Sequence, residues 1–327
     1  MSSSSQSYVG IDVGLHNFSA AVCGARPKEF RHDSVGVRQM LHWAARHVPG
    51  ELRAVCESSG PYSLKLAGLL SQQGVSCAIV PPQRVRANAA ALGRRCKTDN
   101  IDAQVILDYA MHAKPQPWVS PPPQQQKLAA LLAARDDLKA EGRRWKNRLH
   151  ALEQIPGTPP EALDLYTRLI ANLKAEHKAL LQPIKELLRD CVELRQRYRL
   201  LTGIPGIGPE IALALLARAD IVLSRSDKEL TAYAGLAPQH RQSGSSLRGK
   251  SRIGRAGDSK LRTLLYMGSL SAAVCNPPLQ EHYQRLRDRG MPATPAHIAV
   301  ARKLLLQARS VMRSGQPFTP HLKPPQN

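Results

Sequence analysis

The sequence has 327 residues, 43 % of them apolar, so it is long enough for two or three units with real cores, and a wholly disordered basic protein is excluded. Its 46 Lys and Arg against 25 Asp and Glu give a formal net charge of +21, which favours a polyanionic partner, most simply a nucleic acid. A generally basic protein, or one that binds anionic membranes, is the alternative.

The sequence contains no run of about 18 uncharged apolar residues, and it starts with the polar "MSSSSQS". We therefore expect neither a membrane-spanning segment nor a signal peptide. The six cysteines are scattered and form no CxxC pair. This distribution favours reduced thiols in a cytoplasmic protein over a disulfide framework or a zinc site.

The first third of the chain alternates strand and helix patterns. Segments with strand character cover residues 8–14, 17–23, a short stretch near 28–32, 52–57 and 76–80. Helical patterns cover 36–46 and 63–70, and two more begin near Val85 and Thr98. Because the first two strands form a hairpin and the later ones alternate with helices, the sequence predicts a mixed α/β sheet.

Four carboxylates in this part of the chain are candidates for a metal site. Asp12 interrupts an apolar strand, and Glu57 ends a later one. Asp99 and Asp102, in "KTDNIDA", lie three residues apart at the start of a helix and so share one helix face. Each has an ordinary structural explanation, since acids begin turns and complement the dipole of a first helical turn. Together they can hold paired Mg²⁺ or Mn²⁺ ions for phosphodiester chemistry, because hard oxygen ligands favour these ions over Zn²⁺.

The middle of the chain, from about residue 120 to 199, is rich in Leu, Ala, Glu, Lys and Arg and lacks strand patterns. Leu173, Leu180 and Leu187 recur at heptad spacing, and "PGTPP" (156–160) separates two helical stretches. The pattern predicts an antiparallel helical hairpin or coiled coil. Its role is either that of a spacer or that of a dimerisation or nucleic-acid-clamping element.

The last third begins with "TGIPGIGPEIALALLA" (202–217), a turn rich in Gly and Pro that leads into an apolar helix. This pattern is typical of a helix-hairpin-helix, whose hairpin amides can bind DNA phosphates. An ordinary tight turn between packed helices explains it equally well. Further on, Leu261, Leu265 and Ala272 belong to a stripe typical of a core helix.

Residues 240–257 contain four serines, four glycines and five Arg or Lys but no carboxylate. The composition fits a flexible linker, a loop that only binds phosphates, or a loop that carries a nucleophilic serine. The candidates for binding nucleic-acid phosphates in and after this segment are Arg241, Arg248, Lys250, Arg252, Arg255, Lys260 and Arg262.

Taken together, these motifs resemble a known family. "GIDVG" with Asp12, "CESSGPY" with Glu57 and "KTDNIDA" look like the DEDD motif of the insertion-sequence transposases of family one-ten, relatives of the Piv DNA invertases. "YAGLAPQHRQSGSSLRGKSRIGRAG" and "LRTLLYMGSLSAA" look like that family's second domain. The resemblance covers nearly the whole chain in the right order. Departures such as "ESSG" in place of the family's common "EATG" spare the proposed reactive groups.

The resemblance implies three domains, which we place at residues 1–117, 118–199 and 200–327. They are a RuvC-like domain of the RNase H fold, a helical coiled-coil segment, and a mainly helical transposase domain that carries the serine loop and the element resembling a helix-hairpin-helix. The fold class is thus α/β plus all-α.

For the chemistry, the resemblance implies that Ser243 attacks a DNA phosphodiester to give a covalent phosphoserine. Asp12, Glu57, Asp99 and Asp102 would bind Mg²⁺, or Mn²⁺, and complete a composite site shared between protomers. The implied partners are donor and target double-stranded DNA, a structured bridge RNA that guides the recombinase, and further copies of the chain, as a dimer that assembles into a tetramer. The expected location is the bacterial cytoplasm, in association with the nucleoid.

Three other functions stay open from the sequence. One is a RuvC-like nuclease or resolvase that hydrolyses DNA with metal and uses the serine loop for binding alone. Another is a Piv-type site-specific invertase without a guide RNA. The third is a non-catalytic nucleic-acid-binding protein.

Overall fold

The structure is a computed structural model. It describes residues 7–91, 93, 99–239, 242–243, 247–248, 252–253 and 257–320. For residues 99–101, 239, 242–243, 247–248 and 252–253 it describes the backbone alone. The chain divides into two compact units, Met1–Ser120 and Pro121–Asn327.

The first unit is built on a five-stranded mixed sheet. Its strands are β1 (Ser7–Val13), β2 (Asn17–Ala21), β3 (Lys28–Arg31), β4 (Leu52–Glu57) and β5 (Cys77–Val80), in the order β3-β2-β1-β4-β5. The strand β2 pairs antiparallel with β1 and with β3, whereas β4 pairs in parallel with β1, and β5 pairs in parallel with β4. The predicted mixed α/β sheet is confirmed.

Helices cover both faces of this sheet. They are α1 (Ser34–Ala45), α2 (Pro61–Gln72), α3 (Pro82–Ala91) and α4 (Asp99–Ala113). Alternate residues of each strand point to opposite faces, so one buried layer contains Ile11 and Cys56 with apolar residues of α1 and α2. The other layer contains Val55 with residues of α4 such as Ala103 and Leu107.

The second unit is mainly helical and has one large apolar core. Its helices are α5 (Pro123–Glu153), α6 (Pro160–Ala179), α7 (Leu181–Asp190), α8 (Val192–Thr202), α9 (Pro209–Leu216), α10 (Ala219–Ser224), α11 (Asp227–Tyr233), α12 (Ser259–Cys275), α13 (Pro277–Asp288) and α14 (Ala293–Ser314). Among the described residues between α11 and α12 there are four two-residue strands: β6 (Pro238–Gln239), β7 (Gln242–Ser243), β8 (Leu247–Arg248) and β9 (Arg252–Ile253). Among the helices that the structure describes, none is long and apolar enough to cross a membrane.

The middle region forms a long helical hairpin, but its heptad pattern does not run along one helix. The segment "PGTPP" joins α5 to α6, whereas the leucines at 173 and 187 belong to α6 and α7 and Leu180 lies between these helices. Pro183 explains the break, because it has no N–H to donate to the carbonyl oxygen of Ala179. Ile184 and Leu187 of α7 pack instead into the main core.

The turn between α8 and α9 is accounted for by packing. A Cβ atom on Gly206, whose φ is +98°, would stand 2.5 Å from the Cβ of Ala272, so this glycine permits the turn to press against α12. The first turn of α9 carries Glu210, whose carboxylate pairs with Arg135 and Lys139 of α5 at 2.5 and 3.3 Å. A carboxylate at this helix N-terminus complements the positive end of the helix dipole, which is where a phosphate would otherwise bind. These contacts favour the packed turn over a phosphate-binding hairpin.

Candidate functional site

Two of the predicted carboxylates lie side by side at the ends of parallel strands. The parallel register of β1 and β4 pairs Ile11 with Cys56, which places Asp12 beside Glu57. Both are half-buried. Because side chains alternate along a strand, Asp12 shares the sheet face of Gly10, and Glu57 shares the face of Val55. That is the face covered by α4.

The helix α4 brings a third carboxylate to the same end of the sheet. A Cβ atom built on Gly10 would stand 2.3 Å from the backbone N of Leu107 and 2.5 Å from the carbonyl oxygen of Ala103. The glycine therefore allows the helix backbone to lie directly on β1. Asp102 directly precedes Ala103 on this helix, and its negative charge raises the pKa of Glu57.

The electrostatics of Glu57 reflect this arrangement. Burial raises the pKa of its carboxyl group, the charge of Arg86 on α3 opposes that effect, and the negative charge of Asp102 adds to it. A cation bound beside Glu57 and Asp102 would relieve the repulsion between their carboxylate charges.

The fourth predicted carboxylate, Asp99, is the first residue of α4 and stands one turn before Asp102 on the helix backbone. Its side chain lies outside the described part of the structure. Within the side chains that are described, no group of three or more His, Cys, Asp or Glu is close enough to hold a metal ion. The four-carboxylate metal cluster therefore stays a prediction.

His32 supports this end of the sheet, and the sequence analysis missed it. Its ring Nδ1 lies 3.0 Å from the carbonyl oxygen of Gly14, and its backbone N–H donates to the carbonyl oxygen of His16 at 2.7 Å. The residue thus holds the hairpin turn that follows Asp12. Burial lowers the pKa of the imidazole, and the backbone contact with Gly14 only partly opposes that shift. No local sequence signal distinguishes this histidine from exposed ones.

Ser243 lies in a β-hairpin rather than in an irregular loop. Ser243, in β7, pairs with Leu247 of β8. On the flanking strands, Gln239 of β6 pairs with Arg252 of β9. Ser243 is the last paired residue before the three positions 244–246 that separate β7 from β8. The β6–β9 pair encloses the β7–β8 pair in the sequence, so Ser243 belongs to the inner pair of strands. Its side chain, like that of Arg248, lies outside the description.

The base of this serine hairpin is tightly held. Gly257 has a φ of +92°, and a Cβ atom on it would stand 2.6 Å from the backbone N of Gly235. The N–H of Asp258 donates to the carbonyl oxygen of Tyr233 at 2.7 Å, and the Asp258 carboxylate pairs with Arg218 at 2.7 Å. The same carboxylate accepts from the N–H of Leu261 and caps α12. The two chain ends of the hairpin are thus fixed to one another.

The predicted phosphate-binding residues divide into three groups. Arg241, Lys250 and Arg255 lie outside the described residues, and Arg248 and Arg252 are described by their strand backbones alone. Lys260 is exposed at the start of α12, and its Nζ lies 3.6 Å from a carboxylate oxygen of Asp136. Arg262, two residues further along α12, is partly exposed. Their contacts with nucleic acid stay predictions.

The chain is similar to known proteins over nearly its whole length. A DEDD family model described as a transposase of the IS110 type matches residues 9–155, and the model described as "Transposase IS116/IS110/IS902 family" matches residues 198–284. The chain is 30 % identical to the pilin gene-inverting protein of Moraxella bovis over 326 residues, covering 96 % of this chain and 98 % of that protein.

Two further relatives belong to insertion elements. The 44.8 kDa protein of insertion element IS116 from Streptomyces clavuligerus is 26 % identical over 386 aligned positions, with 96 % of each chain covered. The transposase of element IS1111A from Coxiella burnetii is 27 % identical over 222 positions, which cover 60 % of this chain and 59 % of that protein. The chain therefore belongs to the IS110 family of insertion-sequence transposases, enzymes that recombine DNA.

Proposed function

We propose that this chain recombines DNA through a covalent phosphoserine on Ser243, assisted by divalent cations on Asp12, Glu57, Asp99 and Asp102. The observation that carries the proposal is that strand register sets Asp12 beside Glu57 and that the charge of Asp102 acts on Glu57, at one end of a mixed sheet. The sheet order, with three antiparallel strands followed by two parallel ones, supports a RuvC-like domain of the RNase H fold.

The chemistry of the donor atoms suits the proposed metal. All the candidate ligands are carboxylate oxygens, which Mg²⁺ and Mn²⁺ prefer, and burial together with Asp102 raises the pKa of Glu57. A bound cation supplies charge stabilisation for the phosphodiester and lowers the pKa of an attacking hydroxyl. The cation would be held by carboxylate oxygens of Asp12 and Glu57, at adjacent strand ends, and of Asp102 on α4.

The reaction at Ser243 is a transfer without net hydrolysis. The serine Oγ loses its proton and forms a bond to phosphorus, while the bond from phosphorus to one deoxyribose oxygen breaks and that oxygen takes up a proton. Rejoining reverses these steps with a hydroxyl of the other DNA partner as nucleophile. The Arg and Lys side chains of the serine hairpin, among them Arg248 and Arg252, bind the phosphate and offset its charge.

Trapping of a protein–DNA adduct tests the nucleophile. We expect the wild type to form a denaturation-resistant adduct with substrate DNA, and Ser243→Ala to form none. Ser245→Ala and Ser246→Ala are matched controls, since they remove neighbouring hydroxyls of the same segment. Metal-dependent nicking of DNA by Ser243→Ala would contradict the assignment of Ser243 as the nucleophile and favour a nuclease that hydrolyses DNA.

Isosteric substitution tests the carboxylates. We expect Asp12→Asn, Glu57→Gln and Asp102→Asn each to lower recombination in cells by more than about a hundredfold, because each removes a charged metal ligand. Glu29→Gln, on the exposed edge of β3, should leave recombination unchanged. Unchanged recombination in the Asp12 and Asp102 variants, with normal folding, would contradict the site and favour a non-catalytic DNA-binding protein.

The proposed guide is a structured RNA encoded beside the gene, supported by the family resemblance and the net charge of +21. Sequencing of co-purified RNA should find one defined species from the flanking DNA, and changing its target-pairing segment should redirect insertion. A random RNA population would contradict the guide.

A site-specific invertase is the second candidate, because a relative that matches 96 % of this chain is named for inverting the pilin gene. An invertase would invert DNA between fixed sites, whatever RNA is supplied.

A further inference from the structure

The helical hairpin of the second unit carries a cationic groove outside the site described above. Residues of α5 and α6 line a cavity of about 420 Å³, which we call the hairpin groove. Its floor is apolar and includes the buried Ile170 together with Leu138 and Leu173. The volume lies within the ~300–1,000 Å³ that small-ligand sites occupy, so the groove suits a short stretch of a chain molecule rather than a whole duplex.

The charged side chains that line the groove are all cations: Lys139, Arg143, Lys146 and Lys174. Lys139 lies 3.3 Å from Glu210, so its charge is already partly offset. For Arg143, Lys146 and Lys174, the described part of the chain shows no ion pair with a carboxylate.

Among the described residues of the same helices, no carboxylate lines the groove. Glu141 and Glu153 of α5, for example, pair with Arg144 and His150, none of which lines the cavity. This separation of charge concentrates positive potential over an apolar floor.

Gly142 keeps the groove open. It lies in the interior of α5, where glycine costs about 1 kcal/mol relative to alanine. A Cβ atom on it would meet nothing within 4 Å, so no close approach requires the glycine. A side chain at this position would project into the space between the cationic side chains, and its absence leaves that space to a ligand.

We propose that the hairpin groove binds the phosphodiester backbone of a nucleic-acid strand, separately from the serine hairpin and the carboxylate site. The phosphates would pair with Arg143, Lys146 and Lys174, and the sugars would pack on the apolar floor. The inference rests on the proposed function, since it assumes a nucleic-acid partner. Phosphodiester chemistry alone does not distinguish DNA from RNA, so the test contains both.

Binding measurements with a matched charge control test the groove. Fluorescence anisotropy of the full chain would use labelled single-stranded DNA, single-stranded RNA and duplex DNA of one sequence over a salt series. The groove variant combines Arg143→Gln, Lys146→Gln and Lys174→Gln. The control combines Arg148→Gln, Arg168→Gln and Lys178→Gln, which remove the same charge from exposed positions of the same helices outside the groove.

We expect the groove variant to bind at least one strand type about tenfold or more weakly at 0.1 M salt, with the slope of log K against log salt reduced by about two to three units. The strand type with the largest loss identifies the ligand. An equal loss in the groove and control variants would overturn the proposal, because it would reflect net charge alone.

Gly142→Leu tests the same groove without changing charge. The leucine fills the cavity and improves helix propensity, so we expect weaker nucleic-acid binding with a melting temperature equal to or above that of the wild type. Unchanged affinity would overturn the proposal.

Sedimentation separates a protein ligand from a nucleic-acid ligand. If the groove variant changes the oligomeric state and leaves nucleic-acid affinity intact, the groove binds a second copy of the chain and the proposal is wrong. If the wild type binds none of the probes, the proposed function fails as well. If the wild type binds and the groove variants bind equally, this inference alone fails.

Discussion

Burial acts on Glu57 and His32 in opposite directions, although both support the same end of the sheet. Each group is disfavoured in its charged form, so the pKa of the carboxyl is raised and the pKa of the imidazole is lowered. The neutral imidazole can still donate from Nδ1 to Gly14, which fixes the turn after Asp12. A protonated ring would carry a charge near Lys65, which further disfavours that form.

We expect acid to destabilise the first unit through His32. Because its pKa is lowered by folding, the unfolded state binds the proton more tightly, and stability is lost as the pH falls below the ordinary value of 6.5. Thermal unfolding of the wild type from neutral pH to about pH 5 should show this loss. In His32→Asn, where the amide nitrogen can replace Nδ1, the pH dependence should be smaller. The exposed His42→Asn should behave as the wild type, and an unaltered slope in His32→Asn would contradict the assignment.

At the scale of elements, close backbone contacts position the candidate functional groups. The strand β1 and the helix α4 touch at Gly10, and this contact sets the distance between Asp102 and the strand ends. The serine hairpin is held in a similar way, by the contact between Gly257 and Gly235 and by the Asp258–Arg218 pair. In both places the residue is a glycine because the methyl group of an alanine would collide with the neighbouring backbone.

Gly10→Ala tests the contact between β1 and α4. Its methyl group would meet backbone atoms at 2.3–2.7 Å, so the helix has to move, and we expect a loss of roughly 2 kcal/mol or more in the free energy of unfolding. Recombination should fall as well, because Asp102 moves with the helix. Gly68→Ala, within α2, is the control, since a Cβ atom there would meet nothing within 4 Å, and this substitution should stabilise the protein by about 0.5–1 kcal/mol. Chemical denaturation measures both, and equal stabilities would contradict the close contact.

Gly257→Ala tests the base of the serine hairpin. Both its φ of +92° and the 2.6 Å approach to Gly235 oppose a methyl group, so we expect a loss of more than about 2 kcal/mol and reduced adduct formation at Ser243. Gly157→Ala also has a positive φ, +82°, but meets nothing within 4 Å, so it isolates the backbone strain, about 1 kcal/mol. If both variants lose the same stability, crowding at the hairpin base is not the cause.

At the scale of the whole molecule, each unit has cores of its own. Two buried clusters of the first unit lie on opposite faces of the sheet, and the large cluster of the second unit joins α5 to α14. A unit with its own core can fold by itself. The net charge of +21 is a property of the full chain and favours binding to polyanions without fixing their sequence.

We expect a fragment of residues 1–120 to fold alone, because its cores draw only on residues within that range. Circular dichroism should show a single cooperative thermal transition with mixed α/β content. A fragment of residues 121–327 provides the comparison and should unfold cooperatively with a helical spectrum. A gradual transition in the first fragment would show that its sheet depends on the rest of the chain.

The sequence by itself determined the strands and helices of the first unit and three residues of the candidate site. Asp12 and Glu57 are found because an acid at the end of an apolar strand is visible locally, and Asp102 because of its spacing from Asp99. These signals depend on neighbours in the chain, which is why periodicity reveals them. The choice of Ser243 among the serines of its segment required the family resemblance.

Only the tertiary structure decided which of these residues lie together. Strand register sets Asp12 beside Glu57, and the approach of α4 at Gly10 adds Asp102. The same holds for His32 and for the hairpin groove, whose partners are distant in sequence. The break of the heptad pattern at Leu180 shows the converse, because Pro183 removes a backbone donor that hydrophobic spacing does not report. Local patterns fix the elements, whereas close packing between distant backbones fixes the site.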